Sequence, residues 1–214
     1  MDDSNQPPKA QLVPSRFSEI VHIARDQASL RPSIGDLLNL LGPKGHYLFI
    51  LILVLPFLQP IPIPGFSTAI GLVMTWVSLF IFLDLPPHLP KKLAGVKFQP
   101  QSLEKIAQIC ERFSLLIEKI VRPRGKRVMT KKWFKRLNGL VLAFHAVLLS
   151  LPLPIPLSNF LPAIVIFLTA LASLEEDIYL IAVAYVGVVV NMVYFLGLVA
   201  LPFFSFHSFK DLIF

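Results

Sequence analysis

The 214 residues are 55% hydrophobic and only 15% charged, with a mean hydropathy of +0.68; soluble domains carry about 25% charged residues, so a free-standing water-soluble globule is excluded and an all-α integral membrane protein is predicted. The 19 prolines stand beside long apolar runs rather than in polar tracts, which excludes a disordered or collagen-like chain. The net charge of +7 is concentrated: 14 of the 20 Lys and Arg lie in residues 86–137, against three acids, Glu104, Glu111 and Glu118.

Residues 1–14 are polar and proline-bearing, which predicts a disordered lead. Asp2, Asp3, Pro7 and Pro8 are the opposite of the basic start and apolar core of a cleavable signal peptide. Residues 15–42 read as two amphipathic surface helices. Phe17, Ile20, Val21, Ala24 and Ala28 share one face of the first; Ser33 and Asp36 open the second, and Gly42 with Pro43 closes it.

The first membrane segment covers residues 43–85. Its apolar arm, Tyr47 to Leu58, reaches only about 18 Å as a helix, short of a hydrocarbon core of about 30 Å. Pro60, Pro62, Pro64 and Gly65 then break the chain, because proline has no N–H to donate. A new helix is predicted from Ser67 and Thr68 to about Asp84.

Residues 86–137 form a basic segment, which the retention of Lys and Arg on the inner side of membranes places in the cytoplasm. Leu103, Ile106, Cys110, Phe113, Ile117 and Ile120 alternate spacings of three and four, the pattern of an amphipathic helix. Eight of the fifteen residues from Arg122 to Arg136 are basic. An anionic membrane surface and a solvated loop both suit that flank. No stacking aromatics accompany it, so nucleic acid is not an expected partner. The single Cys110 allows no internal disulfide.

Residues 138–206 repeat the first device and add a long helix, ahead of a tail at 207–214. The arm Leu140 to Leu151 is again short; Pro152, Pro154 and Pro156 break it, and a new helix runs from Ser158 and Asn159 to about Leu174. After Glu175, Glu176 and Asp177, the run Ile178 to Phe203 is about 39 Å long as a helix, ample for one transmembrane crossing. A shift of 92 positions brings Pro60, Pro62 and Pro64 onto Pro152, Pro154 and Pro156, Asp84 onto Glu176, and Lys44 onto Arg136. The fold expected is therefore two proline-broken hairpin repeats, re-entrant and related by a pseudo-two-fold axis of open direction, with one long C-terminal transmembrane helix and amphipathic surface helices. Paired breaks of this kind mark binding sites in transporters, and they also serve as turns in a duplicated hairpin; the sequence leaves both readings open.

No catalytic constellation stands out, and no metal or cofactor is expected. His22, His46, His88, His145 and His207 are scattered; His145, inside an apolar run, suits an interhelical hydrogen bond or an intramembrane functional role. Asp84, Glu175, Glu176 and Asp177 read as solvated helix ends, with proton coupling as the sharper alternative. The helix starts are the better clue. Each break frees N–H groups and a partial positive charge. Ser67, Thr68, Ser158 and Asn159 are suitable caps or ligands there, and Lys44 and Arg136 would attract an anion to them.

These motifs resemble a known family. Leu55-Pro56 and Pro62-Ile63-Pro64-Gly65-Phe66-Ser67-Thr68 in the first half, with Leu151-Pro152-Leu153-Pro154-Ile155-Pro156, Asn159, Leu161-Pro162-Ala163 and Leu174-Glu175-Glu176-Asp177 in the second, resemble exopolysaccharide synthesis proteins of the ExoD type over roughly Ser33 to Leu198. The chain departs from that pattern at Ile178, where the family usually has Gly, and at Glu176, where it often has Arg. The resemblance implies a multi-pass protein of a bacterial inner membrane, linked to exopolysaccharide production. With the breaks, it leads to the expectation of a transporter-like, non-enzymatic protein that binds and translocates an anionic lipid or lipid-linked saccharide, alone or as a homo-oligomer. The alternative is a scaffold whose basic segment recruits polysaccharide-assembly proteins.

Overall fold

The computed structural model describes residues 44–58, 66–85, 124–153, 155 and 157–213, and every regular element among them is helical. The lead, both helices of residues 15–42, the amphipathic helix at 103–120, and Pro60, Pro62, Pro64, Gly65, Pro154 and Pro156 lie outside the described residues.

Helix α1, Gly45–Val54, is apolar on every side, and a helix of that kind is stable only when enclosed. It is enclosed: Tyr47, Ile50, Leu51 and Val54 belong to the main core. Its last turn tightens into a 3-10 segment, Leu55–Leu58, around Pro56, which has no N–H for the α-helical ladder. Helix α2, Phe66–Leu83, has two faces. Met74, Val77, Ser78 and Ile81 are buried, whereas Leu72, Trp76, Leu79 and Leu83 are exposed. Its polar hydroxyls turn back on their own helix, Thr75 donating to Gly71 O (2.8 Å) and Ser78 to Met74 O (2.7 Å).

After a single turn, α3 (Lys126–Met129), comes α4, Lys132–Ser150. Nineteen residues make it about 28 Å long. The expected arm of about 18 Å began at Leu140, so this arm is longer than the sequence pattern suggested. Lys and Arg are good helix formers, and Phe134, Asn138, Gly139 and Leu142 continue the buried stripe through the basic flank. Helix α5, Phe160–Glu175, is the central helix, lined with Ala163, Ile166, Ala170 and Leu174. Helix α6, Ile178–Ile213, is the longest. Its segment Ile178–Ala200 is the one described helix long and apolar enough to cross a membrane, with 17% of the window buried. So little burial distinguishes it from the core helix of a soluble bundle.

Two glycines set the packing of α2 on α4. A Cβ on Gly139 would lie 2.5 Å from Phe82 N, and one on Gly71 would lie 2.9 Å from Ala146 O and 2.8 Å from Ser150 Cβ. The helices are therefore antiparallel and close, the small-residue contact that helices use where lipid leaves packing as the main attraction. Helix α1 runs antiparallel to α5, whose far end meets Lys44, and α6 returns along α5.

Candidate functional site

The hairpins sort the polar residues into two ends, with a buried network just inside one of them. At one end gather the helix reversals of the charged residues. Asp84 and Glu176 both hold left-handed backbone, φ 57° and 58°, and terminate α2 and α5. Lys44 pairs with Glu176 at 3.5 Å, with both side chains under one-fifth exposed. Lys132 pairs with Asp84 at 3.8 Å, but its side chain is 81% exposed, so this second contact is weak. Asp177 caps α6: its Oδ1 accepts from Tyr179 N–H (2.8 Å) and Leu180 N–H (3.2 Å). Capping draws it out of solvent, to 2% exposure, against the expectation of a solvated end. The basic segment is tied to the same turn: Gly125 N–H donates to Glu176 O (2.9 Å), and the Arg124 guanidinium lies 5.3 Å from the Tyr179 ring centroid. Arg136 is exposed at this end.

The helix starts lie at the other end. Ser67 is buried and Thr68 half-buried at the start of α2; antiparallel packing sets them beside the last turn of α4 and the reversal from Leu151 to Asn159, which contains Pro152. Since α5 is about 24 Å long, Lys44 and Arg136 do not meet the helix starts as the sequence suggested. A hairpin puts the start of its first arm beside the end of its second, away from the turn.

The expected caps of α5 are also corrected. Asn159 makes no side-chain cap bond. Leu157, with φ 66°, turns its carbonyl to Leu161 N–H (3.0 Å), Asn159 O accepts from Ala163 N–H (3.1 Å), and Pro162 has no N–H. The backbone thus satisfies most of the helix start by itself. Ser158 Oγ donates back to Leu153 O (3.2 Å).

Just inside the charged end is a buried polar network that the sequence reading missed. Asn138 Nδ2 donates to Ser173 Oγ (3.1 Å), Ser173 Oγ donates to Thr169 O (2.7 Å), and Tyr185 OH donates to Asn138 Oδ1 (2.6 Å). Three helices, α4, α5 and α6, meet there. The signal was present as single amides and hydroxyls in apolar runs, but nothing in the spacing says which of them face each other. His145 departs from its expected interhelical bond: its Nδ1 meets Val141 O of its own helix at 2.8 Å, and its buried Nε2 has no partner.

Among the described residues every regular element is helical and one exposed helix is of membrane length, features in keeping with a membrane-associated helical protein. Within that class its family is defined: the family described as exopolysaccharide synthesis, ExoD, matches residues 17–197, and the chain belongs to it. It is 35% identical to the protein ExoD of Rhizobium meliloti over 167 residues, 76% of this chain and 68% of that one. It is 27% identical to an uncharacterized protein of Synechocystis over 146 residues, 68% of each. No solved structure matches it significantly.

Proposed function

We propose that the protein is a multi-pass inner-membrane component of exopolysaccharide production that binds and translocates an anionic lipid or lipid-linked saccharide, using two duplicated hairpins. One observation carries the reading: the described helix ends that flank the two breaks lie at one end of the bundle, and the charged turns lie at the other. A site between the breaks would then be separated from the basic face by about 24 Å, the length of α5. The duplication draws support from the same 92-residue shift that relates the prolines. It superposes Asp84 on Glu176, and both are left-handed helix ends paired with a lysine from the other half.

In this reading Ser67 and Thr68 serve the first break, where a helix start favours anionic groups, and Ser158 and Asn159 line the second. Lys44 and Arg136 act at the opposite face, attracting anionic headgroups to the membrane rather than to the breaks. Asp84, Glu175 and Glu176 at that face are the acids available for proton coupling. The scaffold reading keeps one specific support: Lys131, Lys132, Trp133 and Arg136 are all exposed there.

The test is mass spectrometry of lipids co-purified with the parent and with Ser67→Ala, Asn159→Ala. Recognition at the breaks predicts lost lipid at unchanged protein abundance. A Lys131→Ala, Lys132→Ala variant should lose only a salt-sensitive attraction of about 1 kcal/mol per residue. If the double break variant retains the parent's lipid, the scaffold reading takes its place.

A further inference from the structure

Helix α4 is divided lengthwise. Phe134, Asn138, Leu142 and Leu149 are buried, whereas Trp133, Leu137, Leu140, Phe144, Val147 and Leu151 are exposed. The exposed positions alternate spacings of four and three, so they form one stripe along one face of the helix. Trp133, at the basic end, is 59% exposed.

Charge is confined to the start of the same helix. Lys132, Lys135 and Arg136 lie there, and no Lys, Arg, Asp or Glu follows as far as Leu151. Because Gly139 meets Phe82, antiparallel pairing sets Arg136 at the level of Leu85, past the end of α2 and among the charged turns. Lys44 is engaged there by Glu176. Lys132 holds Asp84 only at 3.8 Å, and the exposed Arg136 has no carboxylate partner among the described residues.

One protein partner would cover one such stripe. The outward faces of α2 and α6 are apolar as well, and those helices pack on different neighbours, α4 and α5. A bilayer covers all of these faces at once. The stripe on α4 also has the profile of a lipid. From Trp133 to Phe144 it runs about 17 Å, close to the half-thickness of a hydrocarbon core of about 30 Å. It begins at an indole, which favours the headgroup level, beside cations. Guanidinium binds phosphate oxygens in pairs. We propose that α4 holds an anionic phospholipid of the leaflet on the charged side. Its phosphate lies on Lys132 and Arg136 beside Trp133, and an acyl chain runs along Leu137, Leu140 and Phe144. The proposal rests on the membrane placement in the proposed function and is independent of translocation at the breaks.

The two tryptophans, Trp76 and Trp133, serve as probes. Full-length protein carrying Trp76→Phe or Trp133→Phe is reconstituted in vesicles that contain brominated phosphatidylglycerol or brominated phosphatidylcholine, which quench a tryptophan on contact. Both lipids carry a phosphate, but choline cancels its charge. Trp133 should report a binding constant at least about fivefold higher for phosphatidylglycerol, the effect of one basic residue near a surface. The preference should fall with salt and vanish in Lys132→Gln, Arg136→Gln. Trp76 is exposed on α2 about 12 Å from Asp84, and both lipids should quench it equally. Its quenching in the charge variant reports that fold and immersion are kept. Equal quenching of Trp133 by the two lipids, or a preference that survives the charge variant, overturns the lipid site and leaves translocation untouched. Trp133 unquenched by either lipid while Trp76 is quenched overturns it too. Quenching of neither tryptophan would show this face covered by a second copy or another protein, and overturns both the site and the membrane placement of the α2–α4 pair.

Discussion

Asp177 shows how one side chain can hold a junction. Two N–H groups of α6 end on its Oδ1, and Glu176 beside it takes the left-handed conformation that lets the chain reverse. Asp177→Ala should therefore destabilise by about 0.5–2 kcal/mol, read as a lower thermal midpoint. The polar network makes a sharper prediction. Asn138→Leu leaves the Tyr185 hydroxyl without its acceptor and should cost about 1–3 kcal/mol. Tyr185→Phe added to it should recover part of that loss, since it removes the stranded donor. Gly139→Ala should destabilise by about 1–3 kcal/mol, because its Cβ meets the backbone of Phe82 rather than a side chain that can move. Gly197→Ala is the control: nothing lies within 4 Å of its Cβ, and the helix should gain about 0.5–1 kcal/mol.

Among the elements, α6 has the most distinctive surface. Val183, Val186, Val193, Leu196 and Val199 are exposed along it, and no charged residue interrupts Ile178–Ala200. Lysine in place of Val186 or Val193 should impair membrane insertion by about 2.5–3.5 kcal/mol near the helix centre, measured as the inserted fraction in a translation–insertion assay. Helix ends were legible in the sequence wherever a strong terminator stood. The structure has α2 at Phe66–Leu83 and α5 at Phe160–Glu175, within two residues of the ends read from the proline blocks and the acidic turns. The start of α4 was not legible, because a dense run of Lys and Arg reads as loop by charge while its propensity and its buried Phe134 and Asn138 are helical. The caps at Ser158 and Asn159 failed for a related reason. Capping propensity describes a helix start met by solvent, and here the left-handed Leu157 supplies a backbone acceptor instead. The candidate site was thus half legible: the breaks were visible in the prolines, but Asn138, Ser173 and Tyr185 depend on which helix faces meet.

For the molecule as a whole, the separation of charged turns from helix breaks is a statement about sidedness. With Cys110 replaced by Ser, single cysteines at Arg136 and at the exposed Leu157 should label from opposite faces of intact membranes, Arg136 from the cytoplasm. Labelling of both from one face would overturn the orientation. Translocation is the central claim, and liposomes test it most directly. Purified protein is reconstituted with a fluorescent anionic lipid, and a membrane-impermeant reductant quenches the lipid it can reach. The account predicts quenching beyond the outer-leaflet share, slowed in the Ser67→Ala, Asn159→Ala variant at equal reconstitution. Quenching that stops at the level of protein-free liposomes would contradict it.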